Sequence, residues 1–536
     1  MHRAGAKTSA LDNRLVERLM EPAAFDHPVT SIERIETHIS WVILTDSYAY
    51  KIKKPLVLDF LDFGTLERRR HFCEEELRLN RPWASDIYLD VIPVTESGGQ
   101  LRFGGAGTPL EYALRMKRFD SDQRLDRQLS LGKLNVDDMH ALGAAIASRH
   151  GDAPVVDGEF RERALQMTIR LMHENFAALE DHVNTETLSS LAAWTEQELK
   201  TATALIAERF DAGYFRDCHG DLHLANLVRM PGGIRTFDCI EFNDDLRRID
   251  VICDIAFLVM DLVSKGRRDL AAQFLNRYLE QSGDYDGVVF LDLYFVYRCL
   301  VRAKVAVICS EESELQNERL RNLEDADRYC RIALRQTWKP APLLIIMRGL
   351  SGSGKSWVSG QLLAALPAIR LRSDIERKRR FGLTEAARSG SQIDAGIYTE
   401  EATRALYQRL VAAAKSILDA RHNVILDAAF LLAKERDAAL EMADSCGYAA
   451  VIVDVRAPVP LMKERIQRRQ RAALDASEAG LAVLQHQRAT AEPLAGLELE
   501  RTVVHDNVVG ASVEPLVDAI RVRANAVRDR LICRGS

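Results

Sequence analysis

The chain has 536 residues, too many for one ordinary hydrophobic core, so we expect about two to four domains. Hydrophobic residues make up 47% and charged residues 28% of the chain, as in soluble globular proteins, and the net charge of −6, with a slightly basic second half, does not imply a general nucleic-acid binder. The nine cysteines form no C-x-x-C pair, which argues against a disulfide framework or a zinc site and favours a reducing cytoplasm. The polar start of the chain predicts no signal peptide, and no apolar run approaches the roughly 18–20 residues of a membrane span.

The first part of the chain predicts a small antiparallel sheet followed by a larger helical region. Residues 1–30 are expected to form an exposed lead-in with one short helix. Residues 31–119 hold several β-type runs and one helix, and they predict the smaller lobe of a domain. Residues 120–336 are mostly helical in pattern and predict the larger lobe, interrupted by loops and short strands near 218–244. This order predicts a two-lobed α+β domain with a loop-rich site.

The loop at 219–226 carries the first chemical motif, H-x-D-x-x-x-x-N. Asp221 and Asn226 lie on this loop, and Asp238 follows at the end of a short predicted strand. Phosphoryl transfer to a hydroxyl needs one aspartate to orient the acceptor and take its proton, and an asparagine and a second aspartate to hold Mg²⁺. We therefore predict Asp221 as the catalytic base, and Asn226 and Asp238 as metal ligands. A turn rich in capping residues, or a His/Asp metal site, is the alternative interpretation.

The stretch HGDLHLANL, followed by FDCIEF and then by DVICDIA from Asp250, resembles the aminoglycoside phosphotransferase-like branch of the protein-kinase-like fold. The resemblance covers residues 30–335. It implies a lysine on the third strand of the smaller lobe, for which we choose Lys51. Lys53 lies on the same face of that strand and is the alternative. The resemblance also implies a glutamate partner for the lysine, and Glu76 is our choice.

Two further features of this resemblance concern the nucleotide and the substrate. A hinge at residues 115–119 is implied to meet the adenine ring, and Asp254 is implied to buttress the catalytic loop. No G-x-G-x-x-G loop precedes Lys51, which is a departure from protein kinases. Because the small-molecule branch commonly lacks that loop, the resemblance implies small substrates in place of proteins.

The second half of the chain begins after a proline-containing segment at 337–342, which we predict to be a linker. An apolar run at 343–347 predicts a buried strand, and residues from 357 onward predict a helix. Between them lies the motif G-x-x-x-x-G-K-S, in the strand–loop–helix context of a phosphate-binding loop. Its residues are Gly349, Leu350, Ser351, Gly352, Ser353, Gly354, Lys355 and Ser356.

The chemistry of this motif is specific for nucleotide phosphates. Backbone N–H groups of such a loop surround phosphate oxygens, and glycines allow the turns that this requires. Lys355 supplies a positive charge to the β- and γ-phosphates, and the Ser356 hydroxyl can ligate Mg²⁺. The alternative is a Gly/Ser-rich turn that matches the motif by chance.

Beyond the loop, strands and helices alternate, which predicts a parallel α/β sheet in a P-loop kinase domain at 343–536. Asp374 follows the second strand and is a candidate base for an acceptor hydroxyl. Asp427 ends the third strand, where a carboxylate can hold the Mg²⁺ shell, although a helix cap is the alternative interpretation. Arg465 and Arg469 lie one turn apart on a predicted helix. We predict that Arg469, with Arg465 as second choice, neutralises charge on the transferred phosphate.

This half resembles P-loop small-molecule kinases of the gluconate-kinase, chloramphenicol-phosphotransferase and polynucleotide-5′-kinase type, or an AAA-type ATP-binding domain, over residues 342–515. The motif GLSGSGKS and the later SDIERK and RIQRR carry the resemblance. After a strand predicted at 449–455 we expect only helices. The whole chain resembles bacterial proteins that join an aminoglycoside-phosphotransferase-like domain to an ATP-binding kinase domain.

From these patterns we expect a bifunctional cytoplasmic enzyme with two sites for ATP and Mg²⁺, each phosphorylating a hydroxyl group of a small molecule. Three alternatives stay open: a kinase in which only the P-loop site is active and the first domain regulates it or binds substrate, an ATPase switch without an acceptor, and a nucleic-acid 5′-kinase. The slightly basic second half permits the last, but no tract that interleaves aromatic and basic residues supports it. We expect no membrane partner.

Overall fold

The computed structural model describes residues 10–58, 61–391, 395–472, 477–508 and 510–535, so the first nine residues of the expected lead-in lie outside the described part. The chain separates into two compact units by its internal contacts. The first unit comprises residues 1–141, 152–171 and 203–261, and the second comprises residues 142–151, 172–202 and 262–536. The domain boundaries expected from the sequence stay a prediction.

The α-helices and strands up to residue 264 are, in chain order, α1 (Ala10–Arg18), β1 (Glu33–Glu36), β2 (Ser40–Leu44), β3 (Tyr48–Lys53), β4 (Val57–Leu58), β5 (Leu61–Asp62), α2 (Leu66–Ala84), β6 (Tyr88–Ser97), β7 (Gln100–Phe103), β8 (Pro109–Lys117), α3 (Leu125–Ser130), α4 (Val136–Asp152), α5 (Arg161–Ala177), α6 (Thr185–Asp211), β9 (Phe215–Asp217), β10 (Leu227–Met230), β11 (Gly233–Thr236), β12 (Arg248–Asp250) and α7 (Val251–Ser264).

The elements after residue 264 are α8 (Arg268–Ser282), α9 (Leu291–Glu312), α10 (Gln316–Thr337), β13 (Leu343–Arg348), α11 (Lys355–Ala365), β14 (Ala368–Arg372), α12 (Ser373–Arg380), α13 (Glu400–Asp419), β15 (Asn423–Asp427), α14 (Ala433–Ser445), β16 (Ala449–Arg456), α15 (Val459–Ala472), α16 (Leu481–Thr490), α17 (Leu497–Glu500), β17 (Thr502–Asp506) and α18 (Glu514–Gly535).

The first unit holds a six-stranded antiparallel sheet in the order β1-β2-β3-β8-β6-β7. Successive side chains of a strand point to opposite faces. In β3, Tyr50 and Ile52 are fully buried in an apolar cluster with Trp41, so Lys51 and Lys53 share the other face. The small antiparallel sheet predicted for this part of the chain is confirmed.

Helix α2 brings polar groups into the interior of the first unit. Thr65 precedes the helix and caps it, because its hydroxyl oxygen accepts a hydrogen bond from the N–H of Arg68 at 3.3 Å. Glu76 and Asn80 lie one turn apart on the same side of the helix, and both are fully buried. Buried polar groups are costly without hydrogen-bond partners, so this face of α2 must meet complementary groups.

Two short antiparallel ribbons hold the loop that carries the first motif. Strand β9 pairs with β12, and β10 pairs with β11. The loop at 219–226 connects β9 to β10, and Asp238 comes two residues after β11 ends. The ribbons therefore place the residues of the predicted catalytic loop between strands whose ends are held by backbone pairing.

The second unit contains a five-stranded parallel sheet in the order β14-β15-β13-β16-β17. Strand β13 is continuously apolar and nearly fully buried from Leu343 to Met347, as expected for a parallel strand with both faces covered. Apolar residues of α11 and α18, among them Leu362 and Ile520, form one core with the strands. The parallel α/β sheet predicted from the alternation of elements is confirmed.

The expectation of only helices after residue 455 is wrong at β17. This strand pairs in parallel with β16, from Thr502 opposite Ile452 to Asp506 opposite Arg456. The run is five residues long and follows the charged residues Glu498, Glu500 and Arg501, so its pattern is too short to stand out from its surroundings. It forms a strand because β16 offers an edge with unpaired backbone groups.

Candidate functional sites

Both lysines of strand β3 contact the same glutamate of α2. The Lys51 Nζ donates to Glu76 Oε1 at 2.8 Å and to Asp238 Oδ1 at 2.7 Å. The Lys53 Nζ donates to Glu76 Oε2 at 2.7 Å and also to the carboxylate of Glu241. The two lysines thus differ in their second partner, which is Asp238 for Lys51 and Glu241 for Lys53.

The opposite charges of this cluster stabilise one another. Burial opposes the charge of Lys51, but the carboxylates of Asp238 and Glu76 outweigh it and raise the pKa of Lys51 well above its usual value. Burial likewise opposes the charge of Glu76, and Lys51 and Lys53 overcome it and lower the pKa of Glu76 to about 2. Both groups are therefore charged at neutral pH, and the Lys51 ammonium group carries a full charge into the site.

The loop after β9 is held by a buried carboxylate and a buried imidazole. Asp254 Oδ2 accepts from the N–H of His219 at 3.1 Å, and its Oδ1 accepts from the N–H of Gly220 at 2.8 Å. Nδ1 of His219 accepts from the N–H of Asp221 at 3.2 Å, so Nε2 carries the proton and donates to the Phe237 carbonyl at 2.9 Å. Burial lowers the pKa of His219, which agrees with a neutral ring. The contacts of Asp254 are those expected of a buttress.

Gly220 is required by the geometry of this loop. Its φ is +83°, a conformation that side chains disfavour. A Cβ atom at this position would lie 2.8 Å from the carbonyl oxygen of Leu246. The loop therefore packs directly against the backbone before β12, and the position of Asp221 depends on that close approach.

Asp221 and Asn226 face each other across the loop. The Asn226 Nδ2 donates to Asp221 Oδ2 at 2.9 Å and to the Asp221 carbonyl at 3.0 Å. His223 Nε2 lies 3.3 Å from the same Oδ2, and the Asp221 side chain is 35% exposed. The structure thus brings the predicted base together with one predicted metal ligand and leaves the base accessible to a hydroxyl group.

Asp238 is held in an uncommon backbone conformation at the edge of the site. Its φ is +63°, a region in which aspartate is enriched among residues other than glycine but still strained. Its N–H donates to the Tyr88 hydroxyl at 2.9 Å, and the N–H of Cys239 donates to Asn80 Oδ1 at 2.9 Å. Strand β6 and helix α2 therefore clamp this segment, and the Asp238 side chain stays 46% exposed.

The residues predicted to hold Mg²⁺ in the first unit suit that ion. Mg²⁺ prefers oxygen ligands and commonly uses one or two carboxylates together with phosphate oxygens. The amide nitrogen of Asn226 is directed to Asp221, which leaves its Oδ1 to accept a cation. The half-exposed carboxylate of Asp238 supplies the second donor. The donor set therefore fits Mg²⁺.

In the second unit, the phosphate-binding loop turns at three glycines with positive φ. Gly349, Gly352 and Gly354 have φ of +152°, +82° and +94°. A Cβ atom would lie 2.5 Å from the Val455 carbonyl oxygen at Gly349 and 2.1 Å from Asn507 Nδ2 at Gly354. Glycine is therefore needed for both the conformation and the packing of the loop. Helix α11 begins at Lys355, so its N-terminus adds partial positive charge to the loop.

Lys355 lies over the loop that precedes it. Its Nζ donates to the carbonyl of Gly349 at 2.9 Å and to that of Leu350 at 3.1 Å. Burial lowers the pKa of Lys355, against the opposing attraction of Asp427 and Asp374. The ammonium group thus sits where phosphate oxygens would compete with carbonyl oxygens for its protons.

A cavity of about 1290 Å³ joins the predicted residues of the second unit. Asp374, in the first turn of α12, and Asp427, at the end of β15, both line it. The members predicted from the sequence that line the cavity are Ser351, Gly352, Gly354, Lys355, Ser356, Asp374, Asp427, Arg465 and Arg469. The structure therefore brings the loop, both carboxylates and both arginines to one space.

The two predicted arginines differ in their contacts. Arg465 Nη1 donates to the carbonyl of Ser353 at 3.1 Å, and its Nη2 donates to the carbonyl of Asn507 at 3.1 Å. Arg469 Nη2 donates to the carbonyl of Ala479 at 2.7 Å. Arg465 is thus tied to the phosphate-binding loop itself, whereas Arg469 is tied to the segment that precedes α16.

Ser356 and Asp427 suit Mg²⁺ as a hydroxyl and a carboxylate donor. Asp427 is 4% exposed, and its Oδ2 accepts from the Ser359 hydroxyl at 3.0 Å, which leaves Oδ1 for a cation. Ser356 lies in the first turn of α11 on the wall of the same cavity. The donors fit the ion that the motif implies.

Several residues of these sites are absent from the sequence-based prediction. Asn507 Nδ2 donates to the carbonyl of Ser353 at 2.8 Å, and Gln487 Oε1 accepts from the N–H of Ser351 at 2.8 Å. Asn507 directly follows β17, so the failure to predict that strand also hid this residue. In the first unit, Glu241 lies three residues after Asp238 in the motif FDCIEF. It was not predicted, because no spacing rule assigns it a partner.

A family model supports a nucleotide-binding domain in the second unit. Residues 344–494 match the family described as AAA domain, and this range includes the whole phosphate-binding loop. The chain is also 30% identical, over 447 residues, to the uncharacterized protein Rv2004c of Mycobacterium tuberculosis strain H37Rv, and the match covers 82% of this chain and 87% of that protein. The protein Mb2027c of Mycobacterium bovis matches with the same identity and coverage. The chain belongs to the family of these mycobacterial proteins.

Solved structures of kinases also resemble parts of the chain. A choline/ethanolamine kinase family protein from Mesorhizobium loti is 11% identical, with a TM-score of 0.37, and the match covers 61% of this chain and 98% of that one. A gluconokinase from Sinorhizobium meliloti is 21% identical, with a TM-score of 0.26, and the match covers 37% of this chain and 100% of that one. In the part of the chain that the structure describes, none of the helices is both long and apolar enough to cross a membrane.

Proposed function

We propose that the protein is an ATP-dependent phosphotransferase with two nucleotide sites, one in each compact unit, which phosphorylate hydroxyl groups of small molecules. The observation that carries the proposal is the contact of Lys51 with both Glu76 and Asp238 beside the loop of Asp221. Phosphoryl transfer by kinases uses a lysine paired with a glutamate, a base and metal-binding carboxylates. The phosphate-binding loop of the second unit supports the second site.

In the first unit, Asp221 acts as the base. Asn226 orients its carboxylate, and the side chain is exposed enough for an acceptor hydroxyl to reach it. The acceptor oxygen attacks the γ-phosphorus of ATP, the bond from that phosphorus to the ADP oxygen breaks, and the hydroxyl proton moves to Asp221. Lys51 binds phosphate oxygens, and Glu76 keeps the ammonium group in position.

In the second unit, Lys355 and the N–H groups of the loop bind the phosphates. Asp374 orients the acceptor hydroxyl and takes its proton. Arg469, with Arg465 as the second choice, neutralises charge that develops on the transferred phosphoryl group. These roles are assigned from the placement of the side chains around one cavity.

Both sites are proposed to use Mg²⁺. Asn226 and Asp238 would hold it in the first unit, and Ser356 and Asp427 in the second. When bound, the ion neutralises charge on the β- and γ-phosphates. The protein's own groups position the acceptor and receive its proton.

The proposal is tested by following the γ-phosphate of ATP onto sugars, aminoglycosides, nucleosides and polyols with the full-length protein. Asp221→Asn should reduce transfer at the first site by about 10²–10⁴, the usual effect of removing a general base. Lys355→Ala should abolish nucleotide binding at the second site. Each variant serves as the control of the other, because each leaves one site intact.

The outcomes also separate the alternatives. If Asp221→Asn leaves every ATP-dependent phosphorylation in the screen intact, the first unit is not a kinase, and a regulatory or substrate-binding role replaces it. Turnover of ATP that no acceptor increases identifies an ATPase switch. Phosphorylation of polynucleotide ends, with affinity that falls steeply as salt rises, identifies a nucleic-acid 5′-kinase.

A further inference from the structure

Helix α8 lies along the open edge of the parallel sheet in the second unit. Strand β14 is the edge strand, and its outward backbone groups are bound by one side chain of α8. The Asn276 Oδ1 accepts from the N–H of Arg370 at 2.6 Å, and its Nδ2 donates to the carbonyl of Ala368 at 2.8 Å. Gln273 Nε2 donates to the carbonyl of Gly360 in α11 at 2.9 Å. The helix thus covers an edge that would otherwise expose unpaired backbone groups.

The last turn of α8 adds a buried charge to this contact. Glu280 is 3% exposed and Arg370 is 7% exposed. Glu280 Oε1 accepts from Arg370 Nε at 2.9 Å and from its Nη2 at 2.7 Å. Burial opposes the charge of Glu280, but the cations of Arg370 and Arg372 overcome it and lower its pKa. A guanidinium group held at two nitrogens by one carboxylate has a fixed orientation.

The third nitrogen of Arg370 reaches the nucleotide site. Its Nη1 donates to the carbonyl of Ser356 and to the hydroxyl of Ser359, both at 3.3 Å. Ser359 is fully buried, and its hydroxyl can donate its one proton to Asp427 Oδ2 at 3.0 Å or to the Ser356 carbonyl at 3.1 Å. A continuous path of hydrogen bonds therefore runs from Glu280 through Arg370 and Ser359 to Asp427.

We infer that α8 contributes to the nucleotide site. Glu280 is a positioning residue, which acts through Arg370 on Ser356 and Asp427. The inference rests on nucleotide binding by the phosphate-binding loop, which is part of the proposed function. Its physical basis is that a buried guanidinium group without its carboxylate cannot stay where it is, since it must find another anion or reach water. When Arg370 moves, the Ser356 carbonyl and the Ser359 hydroxyl each lose one hydrogen bond and keep their contact with each other at 3.1 Å.

The test is calorimetric titration of the full-length protein with ATP and Mg²⁺, compared with ATP in EDTA. Binding that disappears in Lys355→Ala is assigned to the phosphate-binding loop. We expect Glu280→Gln to weaken this binding by about 10–100-fold in the presence of Mg²⁺, the range found when partners of metal ligands are removed. The loss should be much smaller in EDTA, because the ligands that Glu280 positions are those of the ion.

A paired substitution separates positioning from folding. Glu280→Met with Arg370→Met removes both buried charges, and such replacements commonly keep or raise stability. We expect this double variant to melt like the wild type and still bind ATP with Mg²⁺ at least about 10-fold more weakly. The matched control replaces Asp444 and Arg501 with methionine, a pair at 2.8 Å whose members do not line the cavity. The control should bind like the wild type.

Ser359→Ala supplies the same test without touching the ion pair. It removes the hydroxyl that links Arg370 to Asp427, and it should weaken binding with Mg²⁺ in the same direction as Glu280→Gln. Wild-type affinity in a stably folded double variant, or in Ser359→Ala, overturns the inference while leaving the proposed function intact. If Lys355→Ala binds ATP as the wild type does, the proposed nucleotide site itself is overturned. The two failures are thereby distinguished.

Discussion

Replacing Lys53 with methionine should separate the roles of the two lysines in β3, because their partners differ in burial. Lys53 is fully buried and contacts Glu76 and Glu241, whose side chains are 1% and 3% exposed. Lys51 contacts Glu76 and Asp238, and the Asp238 side chain is 46% exposed. Loss of either lysine leaves Glu76 one cationic partner. Loss of Lys53, however, leaves Glu241 buried without the cation that it contacts.

The magnitude follows from the protonation of Glu241. Burial raises the pKa of Glu241, and the attraction of Lys53 opposes that rise. Without Lys53, the carboxyl group binds a proton, because an unpaired charge in the interior is far more costly. Protonating a carboxyl group with the ordinary pKa of 4.5 at pH 7 costs about 3.4 kcal/mol, at about 1.36 kcal/mol per pKa unit. Because the pKa of Glu241 is already raised in the wild type, we expect Lys53→Met to lower the free energy of unfolding by up to about 3 kcal/mol, near the range for a broken buried ion pair.

This loss should depend on pH in one direction. A carboxyl group whose pKa is higher in the folded than in the unfolded state destabilises the fold above the unfolded value, because the folded chain must hold a proton that the unfolded chain releases. At pH 5 the cost of protonation falls to about 0.7 kcal/mol. The difference between Lys53→Met and the wild type should therefore shrink by up to about 2–3 kcal/mol from pH 7 to pH 5.

Thermal unfolding of the full-length protein at both pH values measures the effect. A loss of about 3 kcal/mol lowers the Tm of a domain of about 150–250 residues by about 6–12 °C. Lys54→Met is the matched control, because Lys54 pairs with Glu36, whose side chain is 45% exposed, and such pairs contribute less than about 1 kcal/mol. Equal melting of Lys53→Met and the wild type at pH 7, or a difference that does not shrink at pH 5, would refute this reasoning.

Three further outcomes are expected. Lys51→Met should melt within about 2–4 °C of the wild type, since Glu76 keeps Lys53, but in the acceptor screen it should lose the same phosphoryl transfer that Asp221→Asn reduces. Gly354→Ala should weaken ATP binding at the phosphate-binding loop by about tenfold or more, because alanine is strained at φ +94° and its Cβ would meet Asn507; unchanged titrations would contradict this. Asp254→Asn should lower transfer at the first site by about tenfold, because an amide oxygen cannot replace both carboxylate contacts, while ATP binding at the loop of the second unit stays unchanged.

The two sites stabilise their charged groups in different ways. In the first unit, side chains from β3, from α2 and from the segment after β11 form ion pairs. Lys51 contacts both Glu76 and Asp238. In the second unit, backbone turns at glycines shape the loop, and Lys355 rests on loop carbonyls. The first arrangement depends on long-range packing and the second on local backbone conformation, so they differ in how far each can be predicted from the sequence.

Motifs confined to one loop were predictable because their chemistry is local. The loop at 349–356 needs glycines and a lysine at set spacings, and a strand before it and a helix after it are visible as apolar patterns. The carboxylate and amide of Asp221 and Asn226 likewise meet within one short loop. Strand β17 and Asn507 could not be predicted in this way, since a five-residue run becomes a strand only when β16 pairs with it.

The sequence by itself therefore determined the two folds and the two loops that carry the motifs at 219–226 and 349–356. The tertiary structure alone decided that Lys51 contacts Asp238, that Lys53 contacts Glu241, and that Glu280 of helix α8 contacts Arg370 of strand β14. The partners in the last two contacts are 188 and 90 residues apart. The physical reason is that a buried charge accepts whichever opposite charge the packing of helices and strands brings to it, and no local spacing encodes that choice.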